Sequence, residues 1–179
     1  MNDDRSGIKA GLNLGCGDRI FKSTPEITWR NLDIQEGPGI DTVMDWRNLG
    51  SIPGEEIVDI IVAHQTFEHT NCGLQPIKQC YEILKKGGSL IVSVPDLRKL
   101  AQLWLTHQLS TQIYLTNIYG PYDGTEASIH RWGFDHEYLM DQLKREAPWS
   151  AVKDFDYRAI PGADIARDSK WILCMEAIK

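Results

Sequence analysis

Two runs, IVDIIVAH (57–64) and SLIVSVPDL (89–97), constrain the fold more than any other feature of this chain. Both are nearly continuous apolar stretches rich in β-branched residues, which are stiff at χ1 and pack well on a pleated surface. A strand apolar at every position is buried on both faces, and strands of that kind belong to parallel sheets covered by crossover segments. Between the two runs lies LQPIKQCYEILKKGG (74–88), in which Ile77, Cys80, Tyr81 and Leu84 recur at helical spacing and Gly87-Gly88 supplies a stop. Strand, helix, strand is the unit from which parallel α/β sheets are built.

The rest of the chain extends that pattern. KAGLNL (9–14), TWRNLDI (28–34) and GIDTVMD (39–45) read as three earlier strands. DLRKLAQLWLTHQ (96–108) places Leu97, Leu100, Ala101, Trp104 and Leu105 on one helical face. TNIYGPYDGTEASIHRWG (116–133) reads as a long ordered loop, and FDHEYLMDQLKREAP (134–148) as a helix ended before Pro148. WSAVKDFDYRAI (149–160) and SKWILCMEAIK (169–179) read as closing strands, and residues 1–7 as a disordered lead. With no linker, repeat or low-complexity segment, the 179 residues form one domain, 1–179, with a sizeable core.

The net charge of −6 argues against a nucleic-acid backbone as main partner, which calls for a basic face. No apolar run approaches a membrane span, and the polar start MNDDRSGIKAG does not read as a signal. Cys16, Cys72, Cys80 and Cys174 are scattered with no C-x-x-C pair, the usage of a reduced, cytoplasmic compartment.

Four strand ends carry the chemistry. The first strand ends in Gly15-Cys16-Gly17, where paired glycines permit positive φ and close approach of a ligand to the backbone; a plain tight turn is the alternative. The second ends in Asp33, eighteen positions after Gly15, placed to accept from two ribose hydroxyls or simply to cap the strand end. The third ends near Asp45, which can meet an exocyclic amine or act as N-cap ahead of Trp46-Arg47. The fourth ends in VAHQTFEH. Ligands of doubly wound sheets bind beyond these carboxyl ends. A dinucleotide is disfavoured, because the third glycine that lets a helix reach a pyrophosphate is replaced by Arg19.

The order LNLGCG, NLDI, an acid after the third strand, EH, LKKGG and VPDL resembles the class I S-adenosylmethionine-dependent methyltransferases, and within them the short type-11-like group. The resemblance runs from about Lys9 to Leu97 and resumes at HRWGFDHEYL (130–139). It implies an α/β, Rossmann-like doubly wound sheet, mostly parallel with an antiparallel last strand, in three α/β/α layers. It also implies S-adenosyl-L-methionine as cofactor. Gly15, Cys16 and Gly17 would then face its methionine part, Asp33 the ribose, and Asp45 with the Trp46 amide the adenine, with Ile34 among the cofactor-binding residues. His64 and Gln65 would line the sulfonium pocket. The chain departs from the wider pattern at Asn13, which stands where an acid is usual and could still bind the cofactor's amine without charge. The short, Pro25-containing DRIFKSTPEI (18–27) predicts a stunted first crossover helix.

Methyl transfer to a hydroxyl needs positioning and a proton acceptor. The catalytic candidates are His130, His69 and Asp96, with Glu68 beside them. Each has a structural alternative: a loop hydrogen bond for His130, an orienting bond for His69, a helix cap for Asp96. Neither the pair His64 and His69 nor the pair His130 and His136 has zincin spacing or a third ligand, so no metal is expected. Residues 98–135 are the expected lid and acceptor-site insertion, completed there or by a second subunit of a homodimer. Tyr114, Tyr119, Tyr122, Trp132 and Trp104 could stack on a sugar or pack as a lid. The resulting expectation is O-methylation of a small-molecule or glycan acceptor, linked by resemblance to surface-polysaccharide assembly. The competing expectation is a cofactor-binding module without activity, acting as partner subunit or sensor.

Overall fold

The computed structural model describes residues 7–52, 57–70, 75–121, 123–160 and 170–179. The expected lead at 1–7 falls, except for Gly7, outside the described residues, as do Cys72 and Tyr122.

Among the described residues seven strands form one sheet: β1 (Lys9–Leu14), β2 (Ile27–Asp33), β3 (Thr42–Val43), β4 (Val58–His64), β5 (Leu84–Pro95), β6 (Ala151–Asp154) and β7 (Ile172–Ile178), in the order β3-β2-β1-β4-β5-β7-β6. The first five are mutually parallel. β7 runs against both of its neighbours, β5 and β6. The chain winds outward from β1 to β3, then returns to lay β4 on the other side of β1. That reversal opens a crevice at the carboxyl ends of β1 and β4.

The apolar runs divide between two faces with period two. Ile61 and Ala63 of β4 and Leu90, Val92 and Val94 of β5 join Leu12, Leu14 and Leu32 on one face. Helices α1 (Gln75–Ile83) and α4 (His136–Glu146) cover it through Ile77, Cys80, Leu139 and Leu143. The opposite face shows Val62, Ile91, Trp29 and Cys174, and is covered by Phe21 and Ile160 with Phe155 and Tyr157. This third layer is loop and a 3₁₀ turn at Tyr157–Ala159. The first crossover, residues 15–26, contains no helix. Two buried asparagines satisfy its backbone instead. Asn13 Nδ2 donates to the Arg19 carbonyl (2.7 Å) and to Asn31 Oδ1 (2.9 Å). Asn31 in turn accepts from Phe21 N (2.8 Å) and donates to Phe21 O (3.1 Å).

Several boundaries differ from the sequence expectation. Helix α1 stops at Ile83, because Leu84 already pairs with Val58 in the sheet and Gly87 N donates to Lys179 O (2.9 Å). Sheet pairing overrides the helical periodicity that had taken in Leu84. Strand β3 shrinks to two residues, since Asp45 caps a 3₁₀ turn at Trp46–Ser51. Helix α2 (Leu97–Leu105) is followed by α3 (Thr111–Tyr119), whose last turn occupies the start of the expected loop 116–133. TQIYLTNIY is rich in β-branched and aromatic residues and buries none of its side chains fully, so periodicity does not reveal it. Caps do: Ser110 accepts from Ile113 N (3.3 Å), and Gly120 ends the helix at φ 88°.

Candidate active site

Gly15 and Gly17 adopt φ of 65° and 52°, in the left-handed region that favours glycine. Their surroundings differ. A Cβ on Gly15 would lie 2.3 Å from Thr66 Cγ2, whereas one on Gly17 would meet nothing within 4 Å. Thr66 is held there by its hydroxyl, which donates to the Leu14 carbonyl (2.9 Å) and ties the end of β4 to that of β1. Gly15 N and Cys16 N both donate to Leu32 O (2.8 and 3.0 Å), and Asp33 Oδ2 accepts from Gly17 N (2.8 Å). The loop is thus pinned to β2 while Gly17 faces open space.

That space is a cavity of about 1020 Å³ at the carboxyl ends of the strands. Of the residues expected to bind a cofactor, Gly15, Gly17, Asp33, Ile34, Asp45, Trp46 and Gln65 line it. Ile34, Met44 and Trp46 make an apolar wall beside Asp33. Asp33 Oδ1 accepts from Gln35 N (2.9 Å), so each of its oxygens carries one backbone bond and keeps a lone pair for a ligand. Asp45 accepts from Arg47 N (2.9 Å) and pairs with the Arg47 guanidinium, which holds its carboxyl below the usual range. Gln65 sits at φ 56°, a strained value for a non-glycine residue, and its Nε2 is buried without a partner among the described residues.

Three expected residues do not line the cavity. Asn13 is buried and its amide is spent on the first crossover. The Cys16 thiol turns into the protein, and burial, with the Asp33 charge, pushes it up to about 11. His64 bonds Ser93 through Nδ1, and burial, with Arg19 nearby, pushes its pKa down to about 4. Asp96 is also absent from the lining; it caps α2, accepting from Lys99 N (3.0 Å).

His69 and His130 come together. Their rings meet edge to face at 4.7 Å. His69 Nδ1 lies 3.2 Å from the Ile129 carbonyl and His130 Nδ1 2.8 Å from the Asn117 carbonyl. A carbonyl only accepts, so Nδ1 carries the proton in each ring and Nε2 holds the lone pair. Both rings are neutral at pH 7: burial and then His130 push His69 down to about 4, and burial lowers His130. Glu68, directly before His69 in the chain, completes a cluster with the two rings; it is 1% exposed, and among the described residues neither carboxylate oxygen has a hydrogen-bond partner. Burial pushes its carboxyl up to about 8.

Thr66 and Thr70 line the cavity without having been singled out in the sequence, as does Arg131 within the segment 98–135 expected to carry a lid; Asp123, Thr125, Glu126, Ala127 and Ser128 of the same segment also line it. Thr66 lies inside VAHQTFEH, so its position was available as a signal. Arg131 adjoins His130, and its backbone N donates to Glu68 O (2.7 Å). Of the aromatics, Trp104 stacks on Tyr114 (4.9 Å, 12°) away from the cavity, and Trp132 donates to Tyr138 (3.2 Å).

No protein-family model and no curated protein matches this chain. Solved structures do. A SAM-dependent methyltransferase from Archaeoglobus fulgidus superposes with a TM-score of 0.60 at 16% identity, over 97% of this chain and 87% of that one. The plantazolicin methyltransferase BamL, solved with a triazolic desmethylPZN analog and SAH, gives 0.63 at 13% identity, over 96% and 77%. The 1,6-didemethyltoxoflavin-N1-methyltransferase of Burkholderia thailandensis, solved with 1,6-didemethyltoxoflavin and S-adenosylhomocysteine, gives 0.55 at 14%, over 97% and 72%. The likeness is one of fold: a seven-stranded sheet of the Rossmann-like methyltransferase type.

Proposed function

We propose that this chain, which has the fold of the S-adenosylmethionine-dependent methyltransferases, is an enzyme of that kind and methylates a hydroxyl of a small-molecule or glycan acceptor. One observation carries the reading: Gly17, Asp33, the Ile34–Met44–Trp46 wall and Gln65 converge on a single cavity at the switch point of the sheet.

The residues present fit the cofactor. Asp33 would hold the ribose hydroxyls on its spare lone pairs, and the apolar wall would take the adenine face. The unpartnered Gln65 Nε2 would find an acceptor in the ligand, and the open space at Gly17 would admit the methionine part. The cofactor, when bound, supplies an electrophilic methyl group on a sulfonium leaving group. The protein's own work is then to hold the acceptor in line and exclude water. The imidazole pair offers a neutral Nε2 to take the hydroxyl proton, and His69, which lines the cavity, is the member that touches it. Asp123 and Glu126 at the cavity's rim suit a hydroxyl-rich acceptor, which supports a sugar of the kind found in surface polysaccharides.

Calorimetry with S-adenosylmethionine and S-adenosylhomocysteine tests the reading. Micromolar binding weakened at least about tenfold in Asp33→Ala, the loss of one to two hydrogen bonds to a charged group, is expected. No binding of either compound to the parent would refute it. Binding without S-adenosylhomocysteine release across a panel of sugars and small alcohols would favour the inactive module.

A further inference from the structure

We propose that Glu68, His69 and His130 bind one divalent transition-metal ion of the zinc or ferrous class. One donor atom from each residue lies within 4.8 Å of the other two. Two imidazoles and one carboxylate form a donor set suited to such ions, which leaves further coordination positions open.

Three independent features single out this trio. The first is the orphaned carboxylate. Glu68 is 1% exposed, and among the described residues neither oxygen has a hydrogen-bond partner. A buried carboxylate without partners is costly, and native structures rarely keep one unless something completes it. Protonation would remove the charge but leave an O–H donor with nothing to bond. Arg19 is close enough to act on Glu68 electrostatically, yet forms no hydrogen bond with it.

The second is the orientation of the imidazoles. Metal-ligating histidines characteristically donate their other ring N–H to a carbonyl or carboxylate, which fixes the tautomer and aims the ligating nitrogen. Both rings already do this, through the carbonyls of Ile129 and Asn117. The third is the scaffold. The Glu68 carbonyl accepts from Arg131 N (2.7 Å) and Trp132 N (3.0 Å) and clamps the segment bearing His130 against the 3₁₀ turn Phe67–His69. Residues 61 positions apart in the chain, His69 and His130, are thereby held in ring contact. Tetrahedral coordination at about 2.1 Å sets ligand atoms about 3.4 Å apart, so binding asks for side-chain shifts of roughly 1 Å.

The ion's task rests on the methyl-transfer reading; its binding does not. A divalent ion lowers the pKa of a hydroxyl that reaches it. In the loaded protein the imidazoles would then be ligands rather than bases, and the acceptor's proton would leave to solvent. His69 joins the trio to the cofactor cavity.

The test is titration of the chelator-stripped full-length protein with cobalt(II), followed by visible absorption, and with zinc against a chromophoric chelator. Binding of one ion per chain, weakened at least about 100-fold in Glu68→Gln and in His130→Ala, is expected; even outer-shell partners are worth 10–100-fold. His136→Ala, which removes a surface histidine paired with Asp154, should bind as the parent does. Asp33→Ala should also bind the ion normally, so failure of the cofactor reading would not be mistaken for failure of this one. Thermal melts confirm that the isosteric Glu68→Gln is folded. No stoichiometric binding by the parent, or binding kept in Glu68→Gln and lost in His136→Ala, would overturn the assignment.

Discussion

Gly15 and Gly17 share a motif and a backbone conformation, yet replacing each by alanine should have different consequences. Each substitution forces an L side chain into the left-handed region, at about 1–2 kcal/mol. At Gly17 the new methyl meets nothing within 4 Å, so the cost ends there. At Gly15 it would lie 2.3 Å from Thr66 Cγ2 and 2.7 Å from Oγ1. Thr66 cannot swing away without breaking its bond to the Leu14 carbonyl, and overpacking of this kind adds about 1–3 kcal/mol. Gly15→Ala should therefore cost about 2–5 kcal/mol in all. With a urea m-value of about 2 kcal/mol/M, its midpoint falls by about 1–2.5 M, against about 0.5–1 M for Gly17→Ala. Affinity for S-adenosylhomocysteine should rank differently. Gly17→Ala places its methyl in the open cradle and should weaken binding although the protein stays well folded. Urea unfolding followed by tryptophan fluorescence, with calorimetry on the same samples, measures both. Equal midpoints for the two variants would refute the claim that Thr66 is what separates the two glycines.

Other consequences are open to equally direct measurement. Asn13→Asp restores the acid common in this position among the proteins the chain resembles, but a carboxylate cannot donate to Arg19 O and Asn31 Oδ1. It should destabilise by about 1–3 kcal/mol in urea melts without improving S-adenosylhomocysteine binding, and an unchanged midpoint would contradict the latch. Asp135 caps α4 by accepting from Tyr138 N (2.9 Å) and pairs with Arg98, and those contacts hold its carboxyl below the usual range. Its stabilisation is complete above the unfolded pKa, near 3.8, and is lost as pH falls through the lower folded value. Asp135→Ala should cost about 1 kcal/mol at pH 7 and show a gap from the parent that closes under acid. In a Cys72→Ser background, Cys16, Cys80 and Cys174 should resist a thiol reagent until the protein is unfolded, because all three are buried and burial raises their thiol pKa values. Rapid labelling of the native protein would show that this burial is not maintained in solution.

The sequence alone determined the sheet and the half of the site that grows from strand ends. Apolar β-branched runs leave little choice but a doubly covered parallel strand, so β4 and the core of β5 were legible. A residue that closes a strand is carried to the carboxyl edge by the strand itself, which is why Gly15, Gly17, Asp33, Asp45 and Gln65 could be placed around one cavity in advance. Where local preference competed with pairing, the sequence misled: Leu84 keeps helical spacing but is claimed by Val58, and α3 carries strand-like residues between caps. Side-chain direction was likewise hidden. Asn13, Cys16 and His64 lie within these motifs but do not line the cavity: the first crossover and Ser93 take the polar groups of Asn13 and His64, and the Cys16 thiol is buried. Only tertiary structure could unite Glu68 and His69 with His130, since no local period links a turn after β4 to a loop before α4. Their meeting depends on two long-range hydrogen bonds to the Glu68 carbonyl, contacts that no spacing in the sequence encodes.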